Sequence, residues 1–573
     1  MDSLTRNRLL MAAIGAIAGI SLYALFEVLD QALLPDRAAL WLTCFAAVFF
    51  SALLALTGPL PVLRAGLRAL VLALLVATLL FWAGLRYDSV SGFANGALAF
   101  LAVLVLATLP LPFIIAADGP GWRDYPTLFS QSWTILVRMA TAWVFVGVVW
   151  LVVFLSDALL SMVGVTLIGD VIENAGVVFV LSGAVLGLAL AVVAELSGMV
   201  SPHLVLRLLR LLLPVVVGVM AVFLVAVPLR GMTGLFQNLS AGFILLAMAG
   251  AGIALVSTAV DQTDAEAAHH PIIAGAARAA CLMLPLLAAL GAWSVWQRVA
   301  QYGWTPERLF AATVAMFALA YGLVYALAVL RGAMWRAQVR RGNTLMAVLL
   351  MAVAVMWLTP VLNAERISAR SQVARYTTGA VKAEAMDLAA LATWGRAGAD
   401  ARATLAALAE TAGHEALATR LAQGDGTEAA DPAVAVAGLA ALMPLQPPTA
   451  TATRDFLLAG LDAYAVQDWT LACGRRQQPG GEPGCLMVVA DLWPREPGEE
   501  AIVLLDQGGW ALVQGAIFRD GKTETRQVWA GPGGTLDTQT ALALLSQWQA
   551  EAPPLAPVPL NQLGVEGGFI LLP

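Results

Sequence analysis

The sequence predicts an α-helical polytopic membrane protein of about eleven transmembrane helices, followed by a small C-terminal α+β soluble domain. Three observations carry that expectation. Apolar segments of membrane-spanning length recur, charge is scarce before Asn363, and the residue pattern changes character after it. Of 573 residues, 60% are hydrophobic and 12% charged, whereas a soluble globular chain carries roughly a quarter charged residues. Residues 1–362 hold 18 Arg, no Lys and 15 acidic residues, and the remainder holds 14 basic and 23 acidic ones. The net charge of −6 thus divides into +3 and −9. The only lysines are Lys382 and Lys522, a bias that fits GC-rich codon usage better than a functional choice. No Lys/Arg-rich run interleaves with aromatics and the tail is acidic, so no nucleic-acid partner is expected.

A hydrocarbon core of about 30 Å needs roughly 20 apolar residues in helical form. Segments near 9–29, 38–57, 66–85, 93–117, 134–156, 175–197, 204–228, 239–260, 276–296, 309–330 and 344–362 meet that length. Strands are a poor substitute: lipid offers no water to open backbone groups, and the alternating ten-residue pattern of a barrel is absent. The N-terminus runs straight into an apolar segment without a small-residue cleavage site, so an uncleaved first helix is expected. The boundaries are least defined between Val152 and Val180. There Asp157, Asp170 and Glu173 bracket a short apolar stretch, Leu159 to Ile168, that also suits an interfacial position.

Orientation follows from counting arginines in short loops, because cytoplasmic loops carry the excess. With the N-terminus inside, thirteen arginines fall on inside segments and five (Arg37, Arg86, Arg230, Arg298 and Arg308) on outside ones. The inside segment Arg331–Asn343 is the strongest single determinant. Eleven spans then put everything after Asn363 outside, which for a bacterial inner membrane is the periplasm. Cys473 and Cys485 flank a Gly/Pro-rich loop and can reach disulfide distance, a bond that persists in an oxidising compartment. Cys44 and Cys281 fall inside spans, where small apolar packing is the ordinary role.

After the membrane region, residues 363–423 read as an Ala-rich helical juxtamembrane segment, with Arg366, Arg370 and Arg375 just past the last span. Residues 424–453 read as a linker around one short helix, and residues 454–573 as the small α+β domain. Its expected strands are Leu486–Leu492, Ala501–Leu505, Trp510–Phe518 and Thr525–Trp529. A helix is expected near Thr538–Ala550, and a last apolar segment at Gly567–Leu572.

The most informative loop runs from Trp293 to Arg308 and packs three Trp, one Tyr, two Arg and a Glu into sixteen residues. Thr305 caps the next helix, Pro306 suits its first turn, and Glu307 favours its positive end. Gly303 permits a tight turn. An aromatic belt with a capped helix accounts for this composition. A docking surface for a periplasmic ligand or for the tail also accounts for it, with Arg298, Tyr302, Gly303, Thr305 and Arg308 as its residues. The run Arg298-Val-Ala-Gln-Tyr-Gly-Trp-Thr-Pro-Glu-Arg308 resembles the signature of the bacterial domain of unknown function 4153 family: an Arg, then Tyr-Gly, a large apolar residue, Thr and a second Arg. The segment Ile367–Arg375 resembles members with an extracytoplasmic tail. The resemblance implies an inner-membrane protein of unassigned activity and supplies no catalytic residues.

Other chemistry is sparse. Asp261, Asp264, Glu266, His269 and His270 share a loop without a closed zinc spacing, so a solvated loop is expected there, with no metal and no cofactor. His203 and His414 are isolated in the sequence. HExxH, GxSxG and P-loop patterns are absent, so no catalytic residues are assigned. Glu27, Arg138 and Glu195 lie near span ends and are expected to reach water. Pro110, Pro112, Pro214 and Pro285 are candidate helix breaks. Gly15/Gly19 and Gly183/Gly187 fit close helix packing. The leading expectation is a non-enzymatic envelope sensing, binding or scaffold protein, with membrane lipids and a periplasmic ligand or envelope protein as partners. The alternative is a secondary transporter or lipid-handling protein with a cavity between its helices. A membrane-embedded enzyme would need Arg298, Tyr302 and Arg308 to meet Glu27 or Asp88.

Overall fold

The computed structural model describes residues 3–30, 34–195, 202–230, 241–422, 432–475, 481–493, 498–508, 511–519, 521–528, 538–556, 562–565 and 568–571. They form two compact units, residues 1–423 and 424–573. The first contains eleven helices long and apolar enough to cross a membrane. In order these are α1 (Ser3–Asp30), α2 (Asp36–Leu56) and α3 (Val62–Gly84), then a short α4 (Val90–Ala94). The fourth crossing joins α5 (Leu98–Thr108) to α6 (Pro110–Ala117) and leads to α7 (Tyr125–Ser161). After the short α8 (Leu167–Ile172) come α9 (Ala175–Glu195), α10 (Pro202–Arg230) and α11 (Ala241–Val260). The last three are α12 (Pro271–Tyr302), α13 (Pro306–Leu330) and α14 (Trp335–Leu358).

Only one of the candidate prolines divides a helix. Pro110 has no N–H to continue the ladder, and α5 stops just before it. α10 and α12 run through Pro214 and Pro285. The chain past Val152 stays helical to Ser161, so Asp157 and Leu159 belong to α7; α8 is a separate single turn and a half. α1 and α9 pack backbone to backbone. A Cβ on Gly15 would sit 1.9 Å from the Gly183 carbonyl oxygen, and one on Gly187 would sit 2.0 Å from that of Met11. Lipid tails are as apolar as the helices, so such close approach supplies the attraction that water supplies elsewhere.

Past α14 the same unit adds α15 (Ala364–Thr377), α16 (Leu388–Ala392), α17 (Gly395–Ala409) and α18 (Glu415–Ala422). They enclose a small apolar core that includes Leu388, Leu391, Trp394, Leu405 and Leu417.

The second unit comprises α19 (Pro432–Leu442), β1 (Leu445–Gln446), α20 (Thr451–Ala459), α21 (Ala463–Gly474), β2 (Cys485–Ala490), β3 (Glu500–Asp506), β4 (Ala511–Arg519), β5 (Lys522–Gln527) and α22 (Thr538–Ala550). A hairpin of β6 (Gln562–Val565) and β7 (Gly568–Leu571) follows. The five-stranded sheet has the order β1-β2-β3-β4-β5, with β1 parallel to β2 and the rest antiparallel. Successive side chains of a strand point to opposite faces, and here both faces are covered. Cys485, Met487, Val489, Ala501, Val503 and Leu505 pack with α19–α21, while Leu486 and Leu504 pack with Leu545 of α22. β2–β4 and α22 fall on the runs expected for them, β5 begins three residues before its own, and β1 lies in the segment read as a linker. Helices α20 and α21 were not expected, and the segment read as a linker contributes Leu439 and Met443 to this core. Cys473 and Cys485 form a disulfide that staples α21 to β2.

Candidate functional site

The loop after α12 is built around Gly303, whose φ of +76° lies in the left-handed region that suits glycine. Thr305 Oγ1 accepts from the Arg308 backbone N–H at 3.3 Å, which caps α13 as its sequence predicts. The Arg308 guanidinium donates to the Gly303 carbonyl at 2.9 Å and lies 5.3 Å from the Tyr302 ring centroid. Arg298 approaches the same ring at 6.0 Å. The five expected residues therefore gather around one turn.

What they meet is α15. The last carbonyls of a helix lack intrahelical partners and carry its negative end. Arg375 donates to two of them in α12, Ala300 at 3.2 Å and Gln301 at 2.6 Å. Gln372 donates to the carbonyls of Tyr302 at 3.1 Å and Trp304 at 2.9 Å. Ser371 accepts from the Trp304 backbone N–H at 3.3 Å. A Cβ on Gly303 would sit 2.5 Å from Arg375 Cδ, so glycine is required by approach as well as by φ.

The other end of α15 is fixed to the chain just past α3. Arg86 donates to Glu365 at 3.1 Å and to the carbonyls of Trp357 and Thr359, both at 2.7 Å. That ion pair is largely enclosed, with side-chain exposures of 12% and 14%. The Tyr87 hydroxyl donates to the second oxygen of Glu365 at 3.3 Å. Burial, and then the charge of Glu365, push the Tyr87 phenol well above the usual tyrosine range. Asn363 caps α15 by accepting from the Arg366 backbone N–H at 2.8 Å. Fourteen residues at 1.5 Å each reach about 21 Å. α15 is thus a strap lying across the ends of α3, α14, α12 and α13.

α17 packs along this strap. Its Arg396 backbone N–H donates to the Arg86 carbonyl at 2.9 Å, and its guanidinium pairs with Asp88 at 2.9 Å. Between α15 and α17 lies an open cleft of about 670 Å³, walled by Arg86, Arg366 and Arg370 on one side and Arg396 and Asp400 on the other. Asp88 is therefore committed to Arg396 and does not join Arg298, Tyr302 and Arg308; Glu27 lies on α1, which packs against α9 and α2. Sequence reasoning missed Gln372 and Arg375 as loop ligands and Arg86 with Glu365 as an anchor. The one available signal was the polar set Glu365, Ser368, Gln372 and Arg375, which recurs at helical spacing along α15.

The remaining candidates are placed as follows. Asp261 pairs with Arg210, and Asp264 with Arg340 at 2.9 Å. Among the described residues no three His, Cys, Asp or Glu side chains converge as metal ligands would. His414 is not isolated, since its Nδ1 lies 2.7 Å from the Tyr376 hydroxyl. Glu195 pairs with Arg8 at 2.5 Å. Inside the bundle, Asn343 joins Tyr125, Ser257 and Tyr325 in a hydrogen-bonded group that the sequence did not announce.

These features define a polytopic membrane protein with a helical strap over one end of its bundle and a disulfide-stapled α+β unit at its C-terminus. No family model, curated protein or solved structure matches the chain.

Proposed function

We propose that this chain is a multi-pass protein of a bacterial inner membrane, related to the domain of unknown function 4153 family. Its N-terminus is cytoplasmic and its C-terminal unit periplasmic, and it acts as a non-enzymatic envelope binding or scaffold protein. The observation that carries the reading is the strap: Gln372 and Arg375 satisfy the carbonyls of the Tyr302 loop, while Glu365 holds Arg86. A helix fastened at both ends to the bundle makes a rigid platform for whatever follows it in the chain, which suits a scaffold. The thirteen-to-five arginine asymmetry supports the orientation, and the disulfide suits an oxidising compartment. Its proposed partners are membrane lipids and a periplasmic ligand or envelope protein.

Reporter fusions after Arg341 and after Arg370 test the orientation. Cytoplasmic reporter activity at Arg341 and periplasmic activity at Arg370 are expected, and the reverse at Arg370 sinks the topology. The scaffold role is tested by releasing the strap with Gln372→Ala and Arg375→Ala in cells. Sensitivity of the envelope to detergent should follow this variant and not Asn343→Ala. The transporter reading rests on the Tyr125–Asn343–Ser257–Tyr325 group, because polar side chains within a span mark candidate pathways. A dominant Asn343→Ala phenotype would favour it.

A further inference from the structure

We propose that the cleft between α15 and α17 binds a phosphodiester, the chemistry shared by phospholipid headgroups and their soluble glycerol derivatives. Two arginines carry the proposal. Arg366 and Arg370 are one helical turn apart on α15, both exposed, and both line the cleft. Neither guanidinium has a carboxylate partner among the described residues. The other two arginines are already engaged, Arg86 with Glu365 and Arg396 with Asp88. The walls therefore offer two uncommitted planar forks, the geometry that matches phosphate oxygens best. Ala369, Val373 and Ala401 add a small apolar floor. The volume of about 670 Å³ falls within the range of small-molecule sites.

Depth argues for a ligand of the membrane boundary. Arg86 lies two residues past the end of α3, and α15 rests on the ends of four spans. Headgroups occupy this layer, only several ångströms thick on each side of the hydrocarbon. Asp400 faces the two arginines across the cleft as its one lining carboxylate. It opposes a second negative charge, which favours a singly charged diester over a doubly charged monoester. The inference holds for either orientation of the protein, so it stands apart from the topology proposed above.

The test uses the full chain in detergent and native mass spectrometry, with phosphatidylglycerol compared against diacylglycerol of the same acyl chains. Wild type should hold phosphatidylglycerol at least tenfold more tightly. The Arg366→Gln/Arg370→Gln pair should bring that ratio to about one, a loss of roughly threefold or more per guanidinium. The Arg366→Lys/Arg370→Lys pair should keep part of it, since charge survives and the fork does not. Glycerophosphoglycerol then separates the sources: competition shows a site open to soluble diesters, and its failure shows a site that takes the headgroup only with its acyl chains attached. Asp400→Asn should raise the affinity for phosphatidic acid severalfold. A wild-type ratio near one overturns the proposal. So does a ratio unchanged in the glutamine pair, provided its melting temperature matches wild type. If the glutamine pair does not fold, a lysine pair indistinguishable from diacylglycerol background overturns it equally.

Discussion

In the membrane unit, α1 and α9 touch through bare backbone at Gly15, Gly19, Gly183 and Gly187, whereas in the C-terminal unit α21 meets β2 through a covalent bond. The contrast follows from the solvent. Apolar surface gains nothing by leaving lipid for another helix, so the bundle depends on shape and on buried polar ties such as Arg210 to Asp261. The C-terminal unit, residues 424–573, is large enough to gain its stability from burying a core away from water, and the disulfide adds to that. It covers both faces of its sheet and adds a disulfide across a 12-residue separation. The membrane unit is thus sensitive to added atoms and the other to removed bonds.

The seam between α1 and α9 is where that comparison breaks most easily. Gly183→Leu places a branched side chain where even a Cβ would lie 2.1 Å from the Gly15 carbonyl. Overpacking of this kind costs about 3 kcal/mol or more. Loss of the monodisperse protein on detergent size exclusion is expected, and a normal elution profile would show that the seam yields. Next comes Cys473→Ser, which releases a loop worth about 3 kcal/mol in the chain-entropy view. The full chain should then unfold its C-terminal unit at lower denaturant while the helical signal of the bundle is unchanged. A joint shift of both transitions would contradict the independence of the two units.

A smaller effect is expected at the strap. Gln372→Ala with Arg375→Ala removes four hydrogen bonds to carbonyls of the Tyr302 loop. Each contributes about 0.5 kcal/mol net at this partly exposed end, about 2 kcal/mol together, so proteolysis between α15 and α18 should quicken by ten- to a hundredfold. Gly303→Ala should act similarly through its φ and its clash with Arg375. Unchanged cleavage rates in both variants would mean that the strap is held elsewhere.

How much of this was legible differs by region for the same physical reasons. Membrane spans are read from composition over about 20 residues, and all eleven were visible. β2 and β3 were visible as short runs rich in aliphatic and β-branched residues, apolar throughout because both faces of the sheet are covered. Helices α20 and α21 were not, since Thr451–Ala459 and Ala463–Gly474 are short and follow a Pro/Thr-rich stretch that resembles a connector. The small-residue spacing at Gly15/Gly19 and Gly183/Gly187 was visible too, but not that these two seams face each other. Around Tyr302 the cap at Thr305 is local and was read correctly. The strap was hidden because its anchor joins Arg86 to Glu365 across 279 positions, and no local pattern encodes such a pairing. The cleft was concealed in the same way: Arg366 and Arg370 were seen past the last span and helix was expected over residues 363–423, but no local pattern sets α17 opposite them.

The finest test of the strap is at Tyr87, where pH reports on one phenol enclosed beside Glu365. Its phenol is raised by burial and by Glu365, so the folded state favours the neutral, donating form. An unfolded tyrosine ionises near 10. Because the folded value is the higher one, the contribution is fully present below about pH 10 and is lost as pH rises beyond it. Tyr87→Phe removes the bond at every pH and should cost about 1 kcal/mol near neutrality. The difference in melting temperature between wild type and this variant should therefore be constant from pH 7 to 9 and shrink steadily above pH 10. Comparing two chains that share all other tyrosines and arginines cancels their titration. A difference that stays level through pH 11 would mean that the Tyr87 phenol is not enclosed beside Glu365, leaving Arg86 as the anchor of that end of α15.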